Sequence, residues 1–281
     1  MQDIIFGEVL IMKFTFINSY TQDKFFKGLS LVSSILTIIL LFGTPDILQE
    51  CTVFCKYFVI FLLFAMPVVY SLTSWHCRKR FSIPVVGEKY INVLSGDLFN
   101  QKGIIVIPVN SAFDTIVDNR IIAESTVHGS FINKFFKNNT HRLDLEIKQQ
   151  LANCGITPVK QNKAGNCEKY PLGTIVEIPC GEVKAVLVAI TDFDDDNHII
   201  DNPEGYFQAL FRLFQYICKC SQALPVYMPL IGLGISKVAM SSEDSIRNVV
   251  QVVRSLHMNL PVEISIVVLP KEFPKVNKDF E

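Results

Sequence analysis

The stretch that decides the fold is Ser95 to Thr115, "SGDLFNQKGIIVIPVNSAFDT". An uninterrupted apolar run, Ile104–Val109, breaks off at Asn110-Ser111. A second run, Tyr90–Leu94, ends just ahead of the quoted stretch in Gly96-Asp97-Leu98. Apolar runs of this length, bounded by turn-forming residues, are strands buried on both faces. Two of them, each ending in polar groups, place a pair of functional loops at strand ends.

Working outward, the same signature predicts strands at Thr174–Ile178, Ala185–Ile190, Val226–Leu230 and Glu263–Leu269. Between them lie helical periodicities: Phe207, Leu210, Phe211, Phe214, Ile217 and Cys218 share one helix face, and Ile246, Val249, Val250, Val253 and Leu256 share another. Asn202-Pro203 is a helix start, a capping side chain followed by proline at the first helical position. Further helices are expected over Arg120–Phe136 and Leu143–Asn153. Doubly buried strands alternating with helices imply a three-layer α/β/α sandwich on a largely parallel or mixed sheet.

The first eighty residues are different. "GLSLVSSILTIILLFGT" (28–44) and "YFVIFLLFAMPVVYSLTSW" (57–75) carry no charge, and a helix of either length spans roughly 25–30 Å. A two-helix transmembrane hairpin is expected over residues 1–80, ahead of an α/β domain over 81–281. The first run starts too far from Met1 for a signal peptide and is followed closely by the second. Lys24 and Lys27 flank one end and Arg78, Lys79 and Arg80 the other, while Asp46 and Glu50 lie between the spans. The positive-inside rule then puts both termini, and the α/β domain, in the cytoplasm.

With 26 basic against 27 acidic residues and a formal net charge of −1, nothing in the balance suggests a nucleic-acid partner. The eight cysteines lack C-x-x-C pairs, so they are expected to be reduced and mostly buried rather than zinc-binding. His128, His141, His198 and His257 have no metal-ligand spacing, and no metal or cofactor is expected. "TDFDDDNH" (191–198), expected at a strand end, could bind a cation or the amine of a conjugated amino acid, but is taken as a solvated acidic loop.

Ligands of such sheets bind beyond the carboxyl ends of the strands, where three loops carry chemistry. The Asp97 carboxylate, beside Leu98, can accept from an exocyclic amine. Asn110 and Ser111 offer amide and hydroxyl groups to a sugar. In "PLIGLGIS", Gly232, Leu233, Gly234, Ile235 and Ser236 can turn backbone N–H groups onto a diphosphate ahead of a helix starting near Ser241.

Together, Gly-Asp-Leu, the Asn-Ser loop and the late Pro-Leu-Ile-Gly-Leu-Gly-Ile-Ser loop resemble the macro domain, an α/β/α sandwich whose usual ligand is ADP-ribose. The resemblance runs from about Tyr90 to Phe280. It implies that Asp97 binds the adenine amine, that Asn110 and Ser111 face the distal ribose, and that Gly232–Ser236 wrap the diphosphate. ADP-ribosyl-hydrolysing members follow the Asn loop with a glycine run and Val-Asp; here "SAFDTIVDNR" keeps Val117-Asp118 without the glycines, and Pro108 stands near their asparagine. A ligand reader is therefore expected rather than an enzyme.

Two spans ahead of such a domain resemble the transmembrane-macro effectors of Thoeris antiphage systems. That resemblance implies a bacterial inner-membrane protein, a homo-oligomer when active, acting on the lipid bilayer. It also implies a partner TIR-domain enzyme that consumes NAD and makes an ADP-ribose derivative, histidine-ADP-ribose in the type II branch. A membrane-anchored hydrolase using Asp118 or a nearby carboxylate, and a tethered scaffold with an empty macro fold, remain open at this point.

Overall fold

The computed structural model describes residues 19–42, 53–87, 89–233, 241–256 and 260–276. They fall in two compact units, Met1–Arg78 and Lys79–Glu281.

The first unit holds two long helices, α1 (Ser19–Phe42) and α2 (Val53–His76). They cover the expected runs, except that residues 43–44 lie outside the described ones. Gly28 lets the helices touch, since a Cβ there would sit 3.2 Å from the Pro67 Cα. The hydroxyls of Ser33, Ser34 and Thr37 donate to carbonyls of their own helix at 2.8–2.9 Å, as hydroxyls in helices commonly do. Those donors are spent locally and not on a neighbouring helix. Large apolar side chains stay exposed on both helices: Phe26, Leu31 and Ile35 on α1, Phe61, Met66, Val69 and Leu72 on α2. Among the described residues, no helix is long and apolar enough to cross a membrane. The side chains at 38–42 and 53–60, among the most apolar of the two runs, are outside that description.

The second unit is built on a mixed sheet in the order β1-β2-β10-β9-β3-β7-β6, with β8 added along β7. The strands are β1 (Arg80–Pro84), β2 (Tyr90–Ser95), β3 (Ile104–Asn110), β6 (Ile175–Cys180), β7 (Val183–Phe193), β8 (Ile199–Ile200), β9 (Val226–Met228) and β10 (Ile264–Val268). The central five, β2 to β7, run parallel; β1, β6 and β8 are antiparallel additions. Every residue of β10 and six of seven in β3 are buried, as strands covered on both faces must be. A separate ribbon pairs β4 (Val159–Lys160) with β5 (Glu168–Lys169).

The covering helices are α3 (Val127–Phe135), α4 (Thr140–Asn153), α5 (Pro203–Cys220) and α6 (Ser242–Ser255). Asn202 caps α5 as expected, its side chain accepting from the Gly205 N–H. Its buried face is centred on Tyr206, Leu210, Leu213, Phe214 and Ile217, while Phe207 and Phe211 are over a third exposed. The capping box of α6 joins Ser241 and Asp244. Helix α4 is tied to the edge strand β6 through Gln150: its carbonyl accepts from the Glu177 N–H at 2.8 Å, and its amide donates to the Glu177 carbonyl.

One strand was not among those expected, and one helix starts late. Residues 80–84 form strand β1, in which Phe81 and Ile83 alternate inward and are fully covered. The helix expected from Arg120 starts only at Val127. Thr126 is its N-cap, accepting from the Gly129 N–H at 3.0 Å, and residues 120–126 form a loop.

Candidate ligand cleft

The site follows from where strands part. Strand β9 has only three residues, and its pairing with β3 stops at Ile105↔Tyr227. The Ile104 N–H donates toward the β9 side, to the Pro225 carbonyl. Every second residue of a strand faces the same way, so Pro108 lacks an N–H only where β9 has already left. The central strand thus tolerates a proline. One residue later the β3–β7 register shifts between Val109 and Asn110, a bulge that re-aims the strand end.

In the gap lies a cleft of about 630 Å³ at the carboxyl ends of β3, β7 and β9. Its walls are the β3 end (Pro108–Asn110), the β7 end (Ile190, Thr191, Phe193), the turn Leu230–Gly232, and the loop and first helical turn from Ile121 to His128. A larger cavity, about 940 Å³, opens at the opposite end of the strands beside Gly103, Val183 and Pro225. Its charged groups are spent on one another, Lys184 with Glu177 and Lys102 with Glu182. Ligands favour the carboxyl ends, and so do the backbone groups described next.

No charged side chain lines the cleft among the described residues, so an anion there must rely on backbone N–H groups. The turn Leu230–Gly232 borders the cleft with its backbone. Gly232 has φ +94, and a Cβ on it would meet the Tyr206 Oη at 2.9 Å. That hydroxyl donates to the Ile231 carbonyl at 3.0 Å, as does the Ser245 hydroxyl at 2.7 Å. Burial pushes the Tyr206 phenol up to about 12, so it stays a donor and fixes the turn. The N-terminus of α3 offers the Val127 and His128 amides, which have no intrahelical acceptor, the Gly129 amide being taken by the Thr126 cap. Gly129 lets the loop fold tightly over this turn; a Cβ there would lie 2.3 Å from the Ala123 carbonyl oxygen.

The Asn110 loop is braced from behind. Asn110 donates to Asp114 at 3.0 Å and accepts from the Ala112 and Asp114 amides. Asp114 also accepts from the Asn166 N–H at 2.6 Å and pairs with Lys163 at 2.8 Å, with both charged side chains essentially inaccessible. Lys163 spends its other two N–H bonds on the Ala164 carbonyl and Asn197. Ser111 donates to Asp192 at 2.9 Å, which Lys169 neutralises. Both polar residues of the Asn-Ser loop therefore hold the loop; Asn110 alone also borders the cleft, and Ser111 does not.

His128 is the one imidazole in the wall. It is 7% exposed, and burial holds its pKa down, to about 3, so the ring is neutral. The unfolded chain would titrate near 6.5, so below that pH it binds a proton that the folded chain refuses. Stability should therefore be fully present above pH 6.5 and fall on acidification, by roughly 1.4 kcal/mol per pH unit from this group. Urea unfolding between pH 7.5 and 5.5 checks this, and His128→Phe should flatten that part of the profile.

A sequence model described as "Thoeris protein ThsA, Macro domain" matches residues 91–269, well over half of the chain. The chain belongs to the ThsA macro-domain family. The Thoeris protein ThsA of Bacillus amyloliquefaciens (strain Y2) is 22% identical over 277 residues, covering 92% of this chain and 91% of that protein. Among solved structures, a mutant macrodomain of Oceanobacillus iheyensis aligns with TM-score 0.46 and 9% identity over 70% of this chain and 93% of its own. A second mutant of that macrodomain, with ADPR, aligns with TM-score 0.48 and 12% identity over 69% and 92%.

Within this ThsA macro fold, the residues suggested by the sequence separate. Asn110 and Gly232 come together in the cleft. Leu233 follows on the turn, and Gly234, Ile235 and Ser236 lie outside the described residues. Asp97 sits after β2 as the N-cap of a short 3₁₀ turn, accepting from the Phe99 N–H at 2.9 Å, with Leu98 buried beside it; neither lines the cleft. Asp118 is fully exposed. The Ile121 and Arg120 amides bond its carboxylate and hold it below the usual range, making it a turn-former outside the cleft wall. The Val-X pair that does reach the wall is Val127-His128.

Sequence reasoning missed the segment Ile121–His128, hidden in an expected helix, although Thr126 before an apolar run is a helix-start signal. It also preferred a solvated acidic loop over a ligand-facing strand end for 191–198. Thr191 and Phe193 in fact line the cleft and Asp192 is buried, while Asp194 caps its own turn by accepting from the His198 and Asp196 amides. The six described cysteines are free, and Cys77, Cys154 and Cys167 are exposed, not buried. Among the described residues no cluster of His, Cys, Asp or Glu could hold a metal ion.

Proposed function

We propose that this chain is the signal-sensing membrane effector of a Thoeris-type antiphage system. Its cleft binds an ADP-ribose derivative, histidine-ADP-ribose made by a partner TIR-domain enzyme, and its helical hairpin acts on the bacterial inner membrane when several copies assemble. The observation that carries the reading is the cleft itself. It opens at the carboxyl ends of β3, β7 and β9, is lined by apolar residues suited to flat rings, and brings a glycine turn and a helix N-terminus to one ligand.

Similarity to Thoeris protein ThsA over nine-tenths of both chains supports the place in defence and extends beyond the macro domain into the hairpin. The membrane part is supported by the two uncharged runs in the sequence and by the apolar side chains left exposed on both helices. Binding without turnover is supported by a wall that presents no carboxylate among its described residues and by an imidazole too weakly basic to take a proton.

Titration calorimetry of the full chain in detergent, with ADP-ribose and histidine-ADP-ribose, tests the reading. Saturable binding with intact ligand recovered by chromatography is expected. Ligand recovered as hydrolysis products would replace the sensor with a hydrolase, and absence of binding would leave a scaffold.

A further inference from the structure

His128 has a function that the fold does not use. The residue is more than nine-tenths buried, no hydrogen bond to its ring is found among the described residues, its nitrogens are not among the buried unpartnered atoms, and it lines the cleft, so the ring nitrogens are reached by solvent there. A neutral imidazole carries one N–H donor and one acceptor nitrogen. Water can serve both nitrogens in the empty cleft, and a ligand that enters can take the place of that water. It projects from the first turn of α3, beside amides already suited to phosphate.

A phosphate offers only acceptors and can engage only the N–H of the ring. A hydroxyl both donates and accepts and satisfies either face of the ring. We propose that His128 is a ligand-reading residue of the cleft, its imidazole exchanging a hydrogen bond with a ribose hydroxyl next to the bound diphosphate. This rests on the ADP-ribose reading of the cleft and adds the residue that distinguishes a sugar-bearing ligand from a bare phosphate.

The test uses the full chain in detergent and ADP-ribose as probe, with thermal melts confirming that each variant is folded. His128→Phe keeps a flat ring but removes both functions and should weaken ADP-ribose about tenfold, the effect of one lost neutral hydrogen bond. His128→Gln, which again offers a donor and an acceptor, should recover most of that loss. Binding heats in buffers of different ionisation enthalpy should show no proton uptake assignable to His128. Unchanged affinity in folded His128→Phe overturns the proposal alone, as does proton uptake that the Phe variant abolishes, because the ring would then be serving the phosphate. If the wild-type chain binds no ADP-ribose, the reading of the cleft fails and the proposal falls with it.

Discussion

Lys163→Met should lower the stability of the α/β unit by about 3–5 kcal/mol, the usual cost of stripping one partner from a buried ion pair. The reason lies in how completely the pair is enclosed. All three ammonium N–H bonds of Lys163 have acceptors, Asp114, the Ala164 carbonyl and Asn197. Without the lysine, the Asp114 carboxylate keeps only the Asn110 amide and the Asn166 N–H, and no water replaces the charge cheaply. For a domain of this size the melting temperature should drop by roughly 10 °C. Adding Asp114→Leu should recover only part, since that change also releases the Asn110 and Asn166 contacts. Thermal unfolding of the single and double variants decides; a drop of less than about 1 °C in the single variant would mean that the pair is hydrated and not a brace.

Gly232→Glu should abolish both ligand binding and ligand-driven assembly. Three penalties add at one position. An L side chain at φ +94 is strained. Its Cβ would press on the Tyr206 hydroxyl at 2.9 Å, and that hydroxyl cannot swing away without releasing the Ile231 carbonyl. The new carboxylate would also stand where the diphosphate is proposed to lie, with no cation in the described wall to offset it. Affinity should fall more than a hundredfold. Gly232→Ala, with the strain but not the charge, should lose less. A ligand shifts an assembly equilibrium only by binding the assembled state more tightly, so the variant should keep its resting size under ligand that enlarges the wild type. Light scattering of both proteins in detergent, with and without histidine-ADP-ribose, measures this. Wild-type particles that stay the same size at saturation would remove the assembly step from the proposed function.

Much of the fold could be read from the sequence because the central strands are continuous apolar runs, and Ile104–Val109 needs no context to be recognised as buried. Strand β1 was hidden because only Phe81 and Ile83 mark it, ahead of a proline that reads as a linker. In the site, residue types were visible but their commitments were not. Asn110 and Ser111 look like free polar groups until Asp114, Lys163 and Asp192 are brought against them, the last from 81 positions away. The cleft wall escaped notice for the opposite reason: Ile121, Ile122 and Val127 have the composition of a core and border a ligand space only because Thr126 delays the helix.

The clasp of Gln150 on Glu177 has a consequence for how copies of this chain meet. An outermost strand with open amides and carbonyls is a template to which another chain can add. On β6 the carboxamide of Gln150 takes the place of a neighbouring strand at Glu177, and Pro179 withholds a donor two residues on. At the other border of the sheet, β1 ends in Pro84. Both rims are thus protected against indiscriminate sticking, so that a protein proposed to cluster only on command is not drawn into aggregates before the command arrives.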